Sequence, residues 1–220
     1  GSVGKLITIG AALNQGTITP TSVFQVPYAL DLPDAGGLIT DFHQHDGETL
    51  TATGILAESS NTGTVLIGQT MTDDQRYSMM RAFGFGQETG IELPGESAGL
   101  LRSSDEWQGR DRYVTMFGQA YAITAIQEAS ALATIANGGV RISPHIVKSW
   151  TNADGTVEVP EGTQPVQVME AGTASQLLTM MESVVEDKLG TASASKVPGY
   201  RVGVKTGTAE TVIDGASGLI

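Results

Sequence analysis

The sequence predicts an α+β fold, and three observations carry that prediction. Apolar residues recur at helical intervals across 3–14, 48–58, 73–83, 124–136 and 171–186. The stretch 17–47 is dense in Thr, Pro, Gly and Asp, which marks an irregular excursion carrying short strands. Residues 146–168 broadly alternate apolar and polar around Asn152-Ala153-Asp154-Gly155, a hairpin signal.

Val3, Leu6, Ile7, Ala11 and Leu13 define a short, largely buried helix that starts at Ser2 and is stopped by Gly16. Pro20, Pro27, Pro33 and Gly36-Gly37 break up the segment beyond it. The helix period returns from Glu48 to Glu58, and after Ser59-Ser60-Asn61 a second apolar segment runs through Val65, Leu66 and Ile67. That places Ser59-Ser60-Asn61 between two helical segments. The helix from Asp73 is ended by Phe83-Gly84-Phe85-Gly86, and the one from Thr124 by Asn137-Gly138-Gly139. Ala171–Glu186 reads as a helix and Tyr200–Val204 as a strand leading into Lys205-Thr206-Gly207. There is no internal repeat and no low-complexity tract.

At 220 residues the chain suits one domain, which can bury roughly 70% of its unfolded surface. A formal charge of −12 argues against binding a phosphate backbone, so nucleic acid is excluded as a partner. The absence of cysteine removes disulfides, thiol nucleophiles and cysteine metal sites. No apolar run approaches the roughly 18 residues of a membrane span, and residues 1–14 show neither a basic leader nor a cleavage pattern. The chain opens on Gly-Ser and closes on Ala-Ser-Gly-Leu-Ile, which suggests excision from something longer.

A serine hydroxyl is a weak nucleophile near neutral pH, so acyl transfer through one needs a base and a stabiliser for the oxyanion. In Ser2-Val3-Gly4-Lys5 the spacing puts Lys5 one helical turn from Ser2, within reach of its hydroxyl. Burial and a second nearby cation would favour the neutral amine that a base requires, and Lys205 is the candidate for that cation. The start of the helix leaves the Ser2 backbone N–H free as one oxyanion donor. Ser193-Ala194-Ser195-Lys196 has the same spacing, but it precedes Val197-Pro198-Gly199, which cannot continue a helix; Ser2 is therefore preferred.

Lys205-Thr206-Gly207 is the rarer signal: the five lysines give roughly 0.1 chance copies. Lys205, Thr206 and Thr208 would offer a cation and hydroxyls to a substrate carboxylate, Gly207 would let an acyl group approach the backbone, and Thr208 could supply the second oxyanion N–H. Ser59 and Asn61 could add a relay hydroxyl and an orienting amide, although helix capping explains both positions equally well.

Ser-x-x-Lys, Ser-x-Asn and Lys-Thr-Gly, in this order, resemble the motifs of serine β-lactamases and penicillin-binding proteins, with Ser60 at the middle position often taken by Asp. The connecting sequence resembles the class B penicillin-binding proteins, the transpeptidases of cell division and elongation. It does so in Phe83-Gly84-Phe85-Gly86, Thr89 to Glu96, Phe117-Gly118-Gln119, Ala136-Asn137-Gly138-Gly139 and Lys205 to Glu210.

The resemblance implies a β-lactamase/transpeptidase-like fold, a helical subdomain plus antiparallel sheet, truncated at both ends. Residues 1–220 would be the central portion of a penicillin-binding transpeptidase domain. It implies a D,D-transpeptidase on the extracytoplasmic face of the bacterial cell membrane, acting on peptidoglycan stem peptides ending in D-Ala-D-Ala and acylated by β-lactam antibiotics. Partners would be cell-division or elongation membrane proteins, through regions outside this chain. Ser2 would be the nucleophile, Lys5 the proton acceptor, Ser59 and Asn61 the relay and orienter, and Lys205 the cation. Thr206, Gly207 and Thr208 would bind substrate. No metal and no cofactor enter this chemistry.

Two other functions fit the motifs: a serine β-lactamase, and a non-catalytic β-lactam-sensing or scaffolding domain. The chain has no Glu-x-x-Leu-Asn segment of the class A β-lactamase kind between the second and third motifs. The glycines at 84, 86 and 90 fit a dinucleotide loop poorly, because the third is one place late and no strand precedes them. His43 and His45 read as solvated loop histidines, Asp73-Asp74 as a helix N-terminal feature, and Trp107 and Tyr121 as packing or cleft-wall residues. Ala120 stands where the family often has glycine, a departure expected to alter a turn.

Overall fold

The computed structural model describes residues 1–159, 164–208, 210–213 and 216–219. Residues 160–163 of the alternating stretch, Ala209 of the Lys205-to-Glu210 motif and the final Ile220 lie outside that description. The first helix, α1 (Gly4–Asn14), is buried from Gly4 to Leu13. A helix that is apolar on every side belongs in the middle of a core. Leu6, Ile9 and Ala12 are at most 1% exposed, and burying each large side chain contributes roughly 1.5–3 kcal/mol. Gly16, with φ +69°, ends the helix as its sequence position suggests.

Strands β1 (Val23–Val26), β2 (Ala29–Leu30), β3 (Ile39–Thr40) and β4 (Glu48–Thr51) come next. Glu48–Thr51 is a correction: the apolar spacing there predicts helix, but Val23 pairs with Thr51 and Val26 with Glu48 in an antiparallel ladder. Pairing with β1 outweighs a local helical preference too short to nucleate by itself. Thr51 ends the strand and caps α2 (Ala52–Ala57), accepting from Gly54 N at 3.0 Å.

Beyond α2 lie α3 (Asn61–Gly68) and α4 (Asp73–Ala82), with Asp73 and Asp74 in the first turn of α4 behind a Thr72/Gln75 capping box. Helices α5 (Asp111–Val114) and α6 (Ala125–Ala136) precede β5 (Val140–Arg141), β6 (Trp150–Thr151), β7 (Val157–Glu158) and β8 (Val166–Gln167). Strands β6 and β7 form the expected hairpin, closed by Asn152 N donating to Thr156 O at 2.8 Å. The long helix α7 (Ala171–Glu186) and the pair β9 (Glu210–Ile213) and β10 (Ala216–Leu219) complete the described chain.

All pairing among the described residues is antiparallel, in five separate two-stranded pieces and one isolated bridge between Leu100 and Ala122. Helix α1 is the hub: α3, α4, α7 and the Thr115–Phe117 turn all pack on it. Its contact with α7 is close enough that a Cβ at Gly10 would stand 3.1 Å from Leu177 and from Met169.

Tyr200–Val204 is not a strand in the structure. It has no ladder partner among the described residues and is docked instead on α7, where Val204 N donates to Met181 O at 3.3 Å. Ala120 adopts φ +60°, in the left-handed region that favours glycine. A Cβ is strained there, so Ala120→Gly should raise unfolding stability by roughly 0.5–1 kcal/mol, read as a higher denaturation midpoint.

Candidate active site

Ser2 lies in the turn that leads into α1. Gly4 N donates to Gly1 O at 2.9 Å and Lys5 N to Ser2 O at 3.1 Å. This winding brings Lys5 Nζ to 3.0 Å from Ser2 Oγ. Lys5 itself is 0% exposed, and its Nζ also reaches Ser59 O at 2.5 Å and Ser59 Oγ at 3.1 Å. Burial drives the Lys5 pKa well below that of a free lysine, the nearby Lys205 charge pushes the same way, and Asp41 opposes both. In the neutral form the two N–H groups serve Ser59, and the lone pair is left facing the Ser2 hydroxyl.

The turn from Ser59 to Asn61 faces its three side chains in different directions. Ser60 caps α3, accepting from Gly63 N at 2.8 Å. The capping explanation therefore falls on Ser60, while the Ser59 hydroxyl is free to meet Lys5 and Lys205. Ser59 adopts φ +59°, an uncommon conformation for a non-glycine residue. Asn61, the first residue of α3, donates its Nδ2 to Thr40 O at 3.0 Å.

Lys205 enters from the opposite side. Its three donors go to Ser59 Oγ at 2.7 Å, Thr206 O at 3.0 Å and Thr206 Oγ1 at 3.3 Å. Burial lowers its pKa to about 8. Gly207 runs beside the Ser2 turn: a Cβ there would lie 3.7 Å from Val3 Cγ2. The Thr208 backbone flanks the same turn, with its carbonyl oxygen 2.9 Å from where a Cβ on Gly1 would be. Hydrogen bonds thus join Ser2, Lys5, Ser59, Lys205 and Thr206, and Gly207 and Thr208 flank the Ser2 turn, whereas the Asn61 amide is turned to Thr40 O.

Asp41 escaped sequence reading. It lies just after β3 and is 8% exposed. One oxygen accepts from Asn61 N at 2.5 Å and Thr62 N at 3.0 Å; the other accepts from Ser60 Oγ at 2.8 Å and Thr62 Oγ1 at 3.0 Å, with His45 Nε2 at 3.3 Å. A carboxylate thus reaches the motif's middle position from another segment. Asp34 and Asp46 occupy the same polar stretch, so no local signal separates Asp41 from them.

The competing readings sort out by burial. Ser193–Ser195 is a 3-10 turn, and Lys196 pairs with Glu186 in the open. Phe83 and Phe85 are core residues, which leaves no phosphate loop there. His43 is exposed as expected; His45 is half-buried instead, because Asp41 and the edge of Tyr28 hold it. Trp107 packs under the Arg76 guanidinium at 4.8 Å, and Tyr121 stacks beside Phe85 with its hydroxyl against Gly4. Among the described residues no group of three His, Cys, Asp or Glu could hold a metal ion.

Asp41→Asn removes the charge and turns an amide toward donors that need an acceptor. It should lower unfolding stability by about 2 kcal/mol, measured by denaturant titration, because several buried donors lose their partner.

Residues 1–219 match the penicillin binding protein transpeptidase domain family. The chain is 38% identical over 217 residues to penicillin-binding protein PbpB of Mycolicibacterium smegmatis, covering 96% of this chain and 33% of that protein. It is 30% identical over 213 residues to the peptidoglycan D,D-transpeptidase FtsI of Escherichia coli, covering 96% and 33%. Among solved structures it superposes on apo penicillin binding protein 3 of Mycobacterium tuberculosis with TM-score 0.94 at 34% identity, covering 100% of this chain and 50% of that one. The chain spans about a third of the length of these curated relatives. It belongs to the penicillin-binding protein transpeptidase domain family, in the class B branch that contains PbpB and FtsI.

Proposed function

We propose that the chain is the central portion of a serine D,D-transpeptidase domain that cross-links peptidoglycan stem peptides. The observation that carries this reading is the buried Lys5 amine, 3.0 Å from Ser2 Oγ and 3.1 Å from Ser59 Oγ, with Lys205 on the far side of Ser59. Ser2 Oγ attacks the penultimate D-Ala carbonyl of a donor peptide while its proton passes to Lys5. The N–H groups of Ser2 and Thr208 receive the oxyanion. When the C–N bond breaks, the departing D-Ala amine takes a proton back through Ser59, and an acceptor amine then displaces Ser2 from the acyl group. Lys205, Thr206 and Thr208 hold the donor's terminal carboxylate, Gly207 admits the acyl chain, and Asn61 orients its amide.

β-Lactams are the second class of ligand, as mimics of D-Ala-D-Ala that leave Ser2 acylated. Structures of the related Mycobacterium tuberculosis protein complexed with aztreonam and with ampicillin support this. The enzyme would work on the extracytoplasmic face of the bacterial cell membrane, recruited by division or elongation proteins. No helix among the described residues is long and apolar enough to cross a membrane, so an anchor would lie elsewhere in the protein.

A fluorescent penicillin added to the full-length protein should leave a stable adduct that peptide mass spectrometry places on Ser2. Ser2→Ala should abolish it, and Lys5→Ala should slow its formation by roughly 10²–10⁴-fold. Absence of an adduct would overturn the acyl-enzyme reading, and rapid penicillin turnover would favour a β-lactamase. A stable adduct without activity on a D-Ala-D-Ala thioester would favour the sensing domain.

The pH profile has a fixed sign. Lys205 acts as an ammonium, so acylation should fall as pH rises through about 8, while protonation of Lys5 should suppress it on the acid side.

A further inference from the structure

Thr191 lies in the loop after α7, outside all three motifs. Gly190 precedes it, packed so closely on the end of α7 that a Cβ there would stand 2.5 Å from Val184 O. That close approach lets the loop turn back across the site. Ala192 N donates to Val184 O at 3.0 Å, and Thr191 N donates to Ala57 O at 3.2 Å, two residues before Ser59. On its other side Thr191 Oγ1 lies 3.0 Å from Thr206 Oγ1. One residue therefore bonds to both the Ser59 segment and the Lys205 segment.

Either hydroxyl of the pair can donate to the other. Thr206 Oγ1 also accepts from the Lys205 ammonium at 3.3 Å, so when Thr206 donates to Thr191 the two bonds polarise one another in the same sense. We propose, resting on the acyl-transfer reading above, that Thr191 is a positioning residue: it fixes the Thr206 hydroxyl as an acceptor for the Lys205 ammonium and thereby holds that ammonium on Ser59. Donating to Thr191 makes the Thr206 oxygen a better acceptor, which stabilises charged Lys205. Thr191 is exposed, so water competes for its hydroxyl and the effect is moderate.

The test compares the full-length protein with Thr191→Val, which keeps the shape and loses the hydroxyl, and with Thr191→Ser, which keeps the hydroxyl. Two quantities are followed against pH: the rate of acylation by a fluorescent penicillin, and the titration of Lys205 by NMR of lysine labelled with ¹³C at the ε carbon. Thr191→Val should lower the acylation rate roughly three- to tenfold and move both the alkaline limb of the rate and the Lys205 midpoint to lower pH. Thr191→Ser should restore both.

A Thr191→Val protein with wild-type rate and midpoint overturns the proposal. So does a Thr191→Ser protein as impaired as Thr191→Val, which would mean that the residue only packs. If the wild-type protein takes up no penicillin, it is the acyl-transfer reading that fails, and the Lys205 midpoint still decides the role of Thr191.

Discussion

The site depends on a lysine that has no route to water. Long charged side chains normally run along apolar surface and leave their charge in solvent. Lys5 cannot, because α1 is enclosed by α3, α4, α7 and the Thr115–Phe117 turn, and Lys5 is 0% exposed. Its Nζ emerges only between Ser2 and Ser59. Keeping an ammonium there would cost several kcal/mol of lost hydration, and the Lys205 charge adds repulsion. Asp41 offsets part of this but does not touch Nζ, so the balance favours the neutral amine. The apolar core of α1 is thus what would fit Lys5 for the base role proposed for it.

Ser59 and Ser60 divide two tasks that a single residue could not combine. A serine that caps a helix spends its oxygen on a backbone N–H, and Ser60 does this for Gly63. Ser59, one residue earlier, can then offer its oxygen to two lysines, but only by turning into the left-handed region at φ +59°. That conformation costs on the order of 1–2 kcal/mol for a residue with a Cβ. The Asp41 carboxylate offsets it by gathering Ser60, Asn61 and Thr62 at the start of α3. Strain at Ser59 and burial at Asp41 are two sides of one arrangement.

Much of this could be read from the sequence because it is local. Apolar periodicity located α1, α6 and α7, and the spacing of Ser2 and Lys5 foretold their contact, although α1 starts at Gly4 instead of Ser2 and the contact is made by the turn that winds into it. The copy at Ser193 has the same spacing, and what separated it was Pro198, before which Ser193–Ser195 form only a 3-10 turn and no α-helix. The features that escaped are non-local. Glu48–Thr51 has a helical pattern until β1 pairs with it, and Tyr200–Val204 has a strand's composition but is docked on α7 without a ladder. Asp41 is chosen by partners some twenty residues away, and no spacing rule reaches that far.

Among the described residues the three motifs share no sheet, so their relative placement needs another support, and α7 supplies it. Met181 O accepts from Val204, next to Lys205, and Val184 O accepts from Ala192, next to Thr191. Leu177, one turn earlier, meets Gly10 of α1. One helix therefore carries the Lys205 segment on its C-terminal half and holds the Lys5 helix against its middle. The two lysine nitrogens, Lys205 Nζ and Lys5 Nζ, meet through a single oxygen, Ser59 Oγ, at 2.7 and 3.1 Å. A charge on Lys205 this close disfavours a second one on Lys5, which is one cause of the lowered Lys5 pKa. Packing of α7 on α1 therefore helps to fix where the two amines stand relative to one another, from behind the site.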